Sequence, residues 1–388
     1  MKYKTLLLGT AAVFAVATGA RAADLAVAES VEYVKVCDAY GEGFFYIPGS
    51  DTCLKISGTM DVWAQWDSVA YREGTITKSN GEDELNYVFQ TEADVTFQAK
   101  SMTDWGMLTS VINFRGDSAN GVVATIWAER AYVTLGGFTA GLLESQYDGV
   151  NGEIPFGIIG GGNFDGDDTD LVQFSWTTKT GPIGFTFSIE DPNYYPGPAT
   201  PFEEVSPIPG FEAHTYTGNY PALIVSIFGN PTGATGFGWS GNFGVVDTTA
   251  GTGYGTKWTA NYKGPGGFQA GIMGGVSNGA GAFYGNNLTP NEFGSGTYWM
   301  VEGSAGFVLS SAASLWFLGG YQAAPGHSAY EVQAEIDWTV AKDAYVGLAA
   351  GYTSKGAAGG CGLCSNNDIS DAAVQLRFRR NFGGGAID

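Results

Sequence analysis

The chain has 388 residues, of which only 15% are charged, 14% are aromatic and 60 are glycine, a composition too aromatic and too poor in charge for a disordered chain. Its net charge of −21, from 18 basic and 39 acidic residues, argues against a nucleic-acid partner, whose phosphates call for the opposite sign. With only 2 histidines, His214 and His327, far apart along the chain, a histidine triad, a histidine-rich metal site or a general-base dyad finds little support, so the chain is not read as an enzyme and no cofactor or metal is expected.

In chain order, residues 1–22 have the form of a secretory signal. Lys2 and Lys4 make a basic start, Leu6 to Ala17 a short apolar stretch, and Ala20-Arg21-Ala22 a small-x-small cleavage site. A membrane anchor is the alternative, but the apolar stretch falls short of the ~20 helical residues a bilayer needs. Removal of the segment takes away three basic residues and no acid, and places the rest of the chain outside the cytoplasm. Residues 23–53 read as an N-terminal segment in which Cys37 and Cys53 are expected to form a disulfide in an oxidising compartment, worth ~3 kcal/mol by loop entropy.

From residue 54 to residue 382 strict alternation recurs. Leu54, Ile56, Met60, Val62, Ala64 and Trp66 hold one parity against Lys55, Ser57, Thr59, Asp61 and Gln65. Leu85, Tyr87, Phe89, Val95 and Phe97 alternate with Asn86, Gln90, Glu92, Asp94, Gln98 and Lys100. Trp258, Ala260 and Tyr262 alternate with Lys257, Thr259, Asn261 and Lys263, and Tyr330 to Val340 repeat the pattern against Glu331, Gln333, Glu335, Asp337 and Thr339. Period two means strands with one apolar and one polar face. Gly303–Tyr330 and Ala213–Val246 contain no Asp, Glu, Lys or Arg, but glycine, serine and proline punctuate them. They read as glycine-rich strands and turns rather than membrane helices.

Short connections at Lys100–Asp104, Leu135–Phe138, Thr180–Ile183, Lys263–Gly267 and Val340–Asp343 contrast with long ones at Tyr71–Asp83, Tyr147–Asp170, Asp191–Asn219 and Gly356–Asp371. Such a division of turn lengths fits an all-β, antiparallel up-and-down barrel in a bacterial outer membrane. A barrel closed around its apolar parity would bury the charges of the other, at several kcal/mol for each unpaired group. Turned the other way, the aromatic parity faces lipid and the charged parity a wet lumen. At roughly 20–25 residues per strand and connection, about sixteen strands fit, enough to leave an aqueous channel. A secreted sandwich or propeller is the alternative. Gly383–Asp388 reads as an extension beyond the last strand.

The run Val31-Glu-Tyr-Val-Lys-Val-Cys-Asp-Ala-Tyr-Gly-Glu-Gly-Phe-Phe-Tyr-Ile-Pro-Gly49, followed by Asp51-Thr-Cys-Leu-Lys55, resembles the N-terminal signature of alphaproteobacterial porins of the rhizobial type. Ala131-Tyr-Val-Thr-Leu-Gly-Gly137 and Arg377-Phe-Arg-Arg-Asn-Phe382 resemble their fourth and last strand segments. The resemblance implies a homotrimer of sixteen-stranded barrels, embedded among outer-membrane lipid and lipopolysaccharide, through which small hydrophilic solutes diffuse passively. It also implies that the third outer loop folds into the lumen. The family usually ends on the final aromatic, and this chain continues for six residues past Phe382.

By order the third loop is Tyr147–Asp170, with the carboxylates Asp148, Glu153, Asp165, Asp167, Asp168 and Asp170 and no basic residue. Parity turns Lys55, Arg115, Arg130, Arg377 and Arg379 inward on the facing wall. Acids on a loop opposite bases on a wall would set a transverse field across the constriction and an ion preference; the acid excess points to mild cation selectivity. A solvated loop tip or a Ca²⁺ site, without the EF-hand spacing, are the other readings of the acids; lipid-phosphate or subunit contacts are those of the bases. Cys361-Gly-Leu-Cys364 reads as a disulfide stapling the last long loop, since the strand–helix context of a redox CxxC is missing. Competing functions are a selective sugar or phosphate channel, with Tyr147 and Phe156 as candidate aromatic contacts, and a surface barrel or adhesin without a channel.

Overall fold

The period-two segments form the expected strands. The computed structural model describes residues 35–71, 85–119, 126–159, 170–192, 220–230, 235–248, 251–278, 297–324, 327–354 and 371–384. A two-residue strand β1 (Phe45–Tyr46) precedes β2 (Cys53–Tyr71), β3 (Leu85–Thr103), β4 (Gly106–Ala119), β5 (Ile126–Leu135), β6 (Phe138–Glu144), β7 (Asp170–Thr180), β8 (Ile183–Glu190) and β9 (Ala222–Gly229). There follow β10 (Gly236–Thr248), β11 (Gly251–Lys263), β12 (Gln269–Asn278), β13 (Thr297–Ser310), β14 (Ala313–Ala324), β15 (His327–Ala341), β16 (Ala344–Thr353) and β17 (Asp371–Phe382). Each strand from β2 onward pairs antiparallel with the next, and β17 returns to β2 from Phe382↔Gly58 to Ala373↔Asp67, closing a barrel of 16 strands. Closure satisfies the backbone of both edges, as a hydrocarbon surround demands.

The apolar parity points outward. Ile56, Met60, Val62 and Trp66 are exposed while Ser57, Asp61 and Gln65 are buried on the inner side. Tyr330, Val332 and Val340 are exposed against buried Glu331, Gln333, Glu335 and Asp337. No helix among the described residues is long and apolar enough to cross a membrane. The charge-free stretch Gly303–Tyr330 belongs instead to β13, β14 and the start of β15.

At one end, short turns join the hairpins. Gly136 at φ 61° and Gly181 at φ 61° supply the left-handed backbone these tight reversals need. The strand ends joined by the expected long connections are at the other end, but the spacing there is not uniform. β10–β11 and β14–β15 are joined there by two residues each, and residues 279–296, between β12 and β13, form a further long connection. At the short-turn end, the Cys37–Cys53 disulfide closes a hairpin in which β1 pairs with β2 and Phe44 packs with Tyr40 and Tyr46. Cys361 and Cys364 lie outside the described residues, as do residues 1–22 of the expected signal and Gly385–Asp388 of the extension.

Candidate functional site

After β6 the chain turns inward and follows the inner wall. Ser145 Oγ and the Gln146 N–H donate to Glu190 on β8 at 2.6 and 2.9 Å, and Ser226 on β9 donates to Gln146 O at 2.7 Å. Asp148 is buried and ion-paired with Lys257 of β11. Asn151 spans three carbonyls, of Gly229, Asn230 and Trp239, at 3.1–3.3 Å, from a left-handed backbone at φ 64°. Thr259 and Asn261 on β11 then donate to Gly152 O and Glu153 O, and Ser304 on β13 to Pro155 O. Farther on, the Ile159 N–H donates to Glu335 at 2.9 Å and Ile158 O accepts from Arg377 at 3.1 Å. The segment 145–159 therefore runs from β8 to β17 as a strap along one side of the lumen.

Apolar contacts accompany the polar ones. Ile154 packs with Met273, Met300, Leu318 and Tyr298, with Phe156 against the same cluster, and Tyr147 with Leu171, Ala222, Ile224 and Val246. Burial pushes the Tyr147 hydroxyl well above its ordinary range. At Gly157 an added Cβ would sit 2.4 Å from the Glu335 carboxylate, so a side chain there would have to displace Glu335 and Asp337.

The wall that the described residues of the strap do not cover, β2 to β7, carries charge together with the adjoining β17. Arg379 holds Asp61 with Nε and Nη2 at 2.7–3.1 Å, and Arg377 lies 3.8 Å from the same carboxylate with its guanidinium 4.6 Å from the Trp63 ring centre. Arg115 is ion-paired with Glu92 and Glu129 and approaches Asp117 at 3.6 Å. Arg130 pairs with Asp170 at 3.2 Å and Glu144 at 3.5 Å. Arginine's planar fork suits such multiple carboxylate contacts.

Of the residues expected at a constriction, Arg115, Arg130, Arg377 and Arg379 share the inner wall. Lys55 stands apart from them toward the short-turn end, beside Gly43 of the N-terminal hairpin. Asp148 and Glu153 are on the strap, but Asp148 is turned into the wall against Lys257. Asp170 is not a loop residue: it opens β7 and pairs with Arg130. Asp165, Asp167 and Asp168 lie outside the described residues. Alternation had marked Asp61, Glu92, Asp94, Lys257, Glu335 and Asp337 as inward without singling them out as a site. Glu129 carried no such signal, because it shares the parity of exposed Val133. Phe156 faces Trp316, their ring centres 6.1 Å apart, whereas Tyr147, also on the strap, is buried against the wall.

A family model described as the porin subfamily matches residues 24–373. The chain is 37% identical over 205 residues to porin Omp2a of Brucella ovis, covering 48% of this chain and 56% of that protein. To the putative outer membrane protein y4fJ of Sinorhizobium fredii it is 39% identical over 163 residues, 39% of this chain and 46% of that one. The chain spans about half the length of the curated relatives it matches. Among solved structures, the outer membrane channel DcaP of Acinetobacter baumannii superposes with a TM-score of 0.64 at 13% identity, covering 87% of this chain and 99% of that one. Salmonella typhi OmpF in complex with daunomycin gives 0.57 at 11%, covering 86% and 98%. Identities this low speak to the fold alone.

Proposed function

Because the chain belongs to the porin subfamily, we propose that it forms a water-filled, passive diffusion channel for small hydrophilic solutes and ions in the bacterial outer membrane. The observation that carries this reading is the strap, whose described residues are fixed to β8–β17 and do not cover the charged wall of β2–β7. A barrel of 16 strands has room for an aqueous passage beside such an obstruction. The molecule works as a homotrimer among outer-membrane lipid and lipopolysaccharide, and it catalyses no reaction.

The passage is mildly cation-selective. Away from the short-turn end, where Lys55, Lys100 and Lys179 stand, the inner wall of β17 and β2–β7 carries Asp61, Glu92, Asp94, Asp117, Glu129, Glu144 and Asp170 against Arg115, Arg130, Arg377 and Arg379, and rings of carboxylate favour cations. In planar bilayers, the purified full-length protein is expected to give stable ohmic steps, to pass neutral solutes up to a size limit, and to show a cation-directed reversal potential in a KCl gradient. Absence of steps would overturn the channel, and an anion-directed potential the selectivity.

A further inference from the structure

Just past the strap, toward the short-turn end, lies a recess of about 420 Å³ between Phe156–Ile158 and the inner faces of β13–β17. Its volume is in the range of small-ligand sites, ~300–1,000 Å³. We propose that this recess is a binding subsite for a neutral carbohydrate ring, which rests on the channel reading above and gives the channel a preferred class of solute.

The lining carries the argument. Phe156 and Trp316 stand 6.1 Å apart at 50°, and Tyr345 is a third ring on the same recess. Aromatic faces pack against the C–H faces of sugar rings without needing charge. The Trp316 ring is held before any ligand arrives. Its Nε1 donates to Ser314 Oγ at 3.2 Å, and its six-membered ring covers Gly306, where a Cβ would fall 2.3 Å from it. Trp316 is itself buried and serves as a fixed backing for Phe156, which with Tyr345 is half-buried and offers the surface a sugar would meet; a pre-set backing loses little freedom on binding. Ser314, Thr339 and the Tyr345 hydroxyl add groups that both donate and accept, matching the mixed hydrogen bonding of a polyol.

The charges at the rim, being of opposite sign, favour no singly charged solute over a neutral one. Asp337 and Arg379 both border the recess, and both are engaged in the fold: Asp337 accepts from the Ile158 N–H at 3.4 Å, and Arg379 holds Asp61. An anionic solute would meet Asp337 and a cationic one Arg379. A neutral ring meets neither penalty and can hydrogen-bond to either.

The test is current through the full-length protein in planar bilayers, with sucrose added to one side at a time and a polyethylene glycol of matched size as control. Sucrose is expected to reduce the current saturably, and more than the glycol, with the greater effect from the short-turn side. Phe156→Ala and, separately, Thr339→Val are expected to raise the half-blocking concentration at least ~10-fold, about the loss of 1.4 kcal/mol, each measured against its own current in KCl. Equal effects of sucrose and glycol, or unchanged block in both variants, would overturn the subsite while leaving the channel intact. Absence of any KCl current would overturn the channel and the subsite with it. Sucrose quenching of tryptophan fluorescence in the detergent-solubilised protein, lost in Phe156→Ala, is the expected readout that does not depend on conduction; no quenching counts against the subsite.

Discussion

The inner wall is decided residue by residue, by which charges find partners. Lys257 and Asp148 are both almost wholly removed from solvent, at 2% and 4% side-chain exposure. Such a pair adds little net stability, yet halving it is costly, because the charge left behind cannot recover its water. Lys257→Met is therefore expected to destabilise the barrel by about 3–5 kcal/mol, the typical cost of breaking a buried pair, read as a lower urea midpoint in vesicles. Adding Asp148→Leu is expected to restore much of the loss; a double variant no more stable than the single would show that the pair is not the cause. Glu129 teaches a different lesson. Alternation assigns it to the outer face with Val133, but the register slips between Asn113 and Phe114, so that Arg130 and Ala128 pair with these neighbours and Glu129 becomes the extra residue of a bulge. The slip lets consecutive Glu129 and Arg130 both act inward, Glu129 on Arg115 and Arg130 on Asp170. A bulge puts one residue out of step with the period-two pattern, which is why Arg115 and Arg130 were legible in the sequence and Arg115's carboxylate partner Glu129 was not.

At the level of elements, the strands were legible because each one solves the same local problem with the same repeat. The strap was not, because its course depends on partners drawn from many strands. Order along the chain located the third long connection and the porin resemblance implied its inward fold, but nothing in residues 145–159 announces that Glu335 and Asp337 receive its backbone. Nor does alternation explain why Met273, Met300 and Leu318 occupy inward positions; they are the bed on which Ile154 lies. The hold on β15 rests on hydrogen bonding to a carboxylate, 2.9 Å from Ile159 N, so the acceptor oxygen matters more than the charge. Glu335→Gln keeps an acceptor and is expected to leave single-channel noise and the voltage threshold for closure near those of the unaltered protein. Glu335→Leu removes it, at about 1–3 kcal/mol for a buried amide left unsatisfied, and is expected to raise open-channel noise and lower that threshold. Equal behaviour of the two variants would mean that Glu335 does not hold the strap. At the barrel's short-turn end, the Cys37–Cys53 bridge closes a separation of 16 residues. Its removal by Cys37→Ser/Cys53→Ser is expected to cost ~3 kcal/mol in the chain-entropy picture, as an earlier loss of protease resistance in the hairpin on warming.

For the molecule as a whole, one arrangement reconciles 388 residues of low charge with a net charge of −21. Apolar side chains clothe the outside of the cylinder, and acids and arginines neutralise one another within it. The two faces differ by a single step along a strand, so neighbouring residues near the middle of β15 give a direct test. Val332 is 52% exposed on the outer surface, and Gln333 is 8% exposed on the inner one, between Glu331 and Glu335 on the same face. Lysine at an outer position near the bilayer midplane costs ~2–4 kcal/mol, because the ammonium must sit in hydrocarbon or drag water to itself. At the neighbouring inner position the same ammonium lies between two carboxylates, Glu331 and Glu335. Val332→Lys is accordingly expected to lower the yield of folded, heat-modifiable barrel in lipid vesicles and its urea midpoint, while Gln333→Lys folds like the unaltered chain and shifts the reversal potential away from cations. If the two substitutions were equally tolerated, or if Gln333→Lys were the damaging one, the assignment of faces would be wrong, and a lumen lined by the charged parity could not stand.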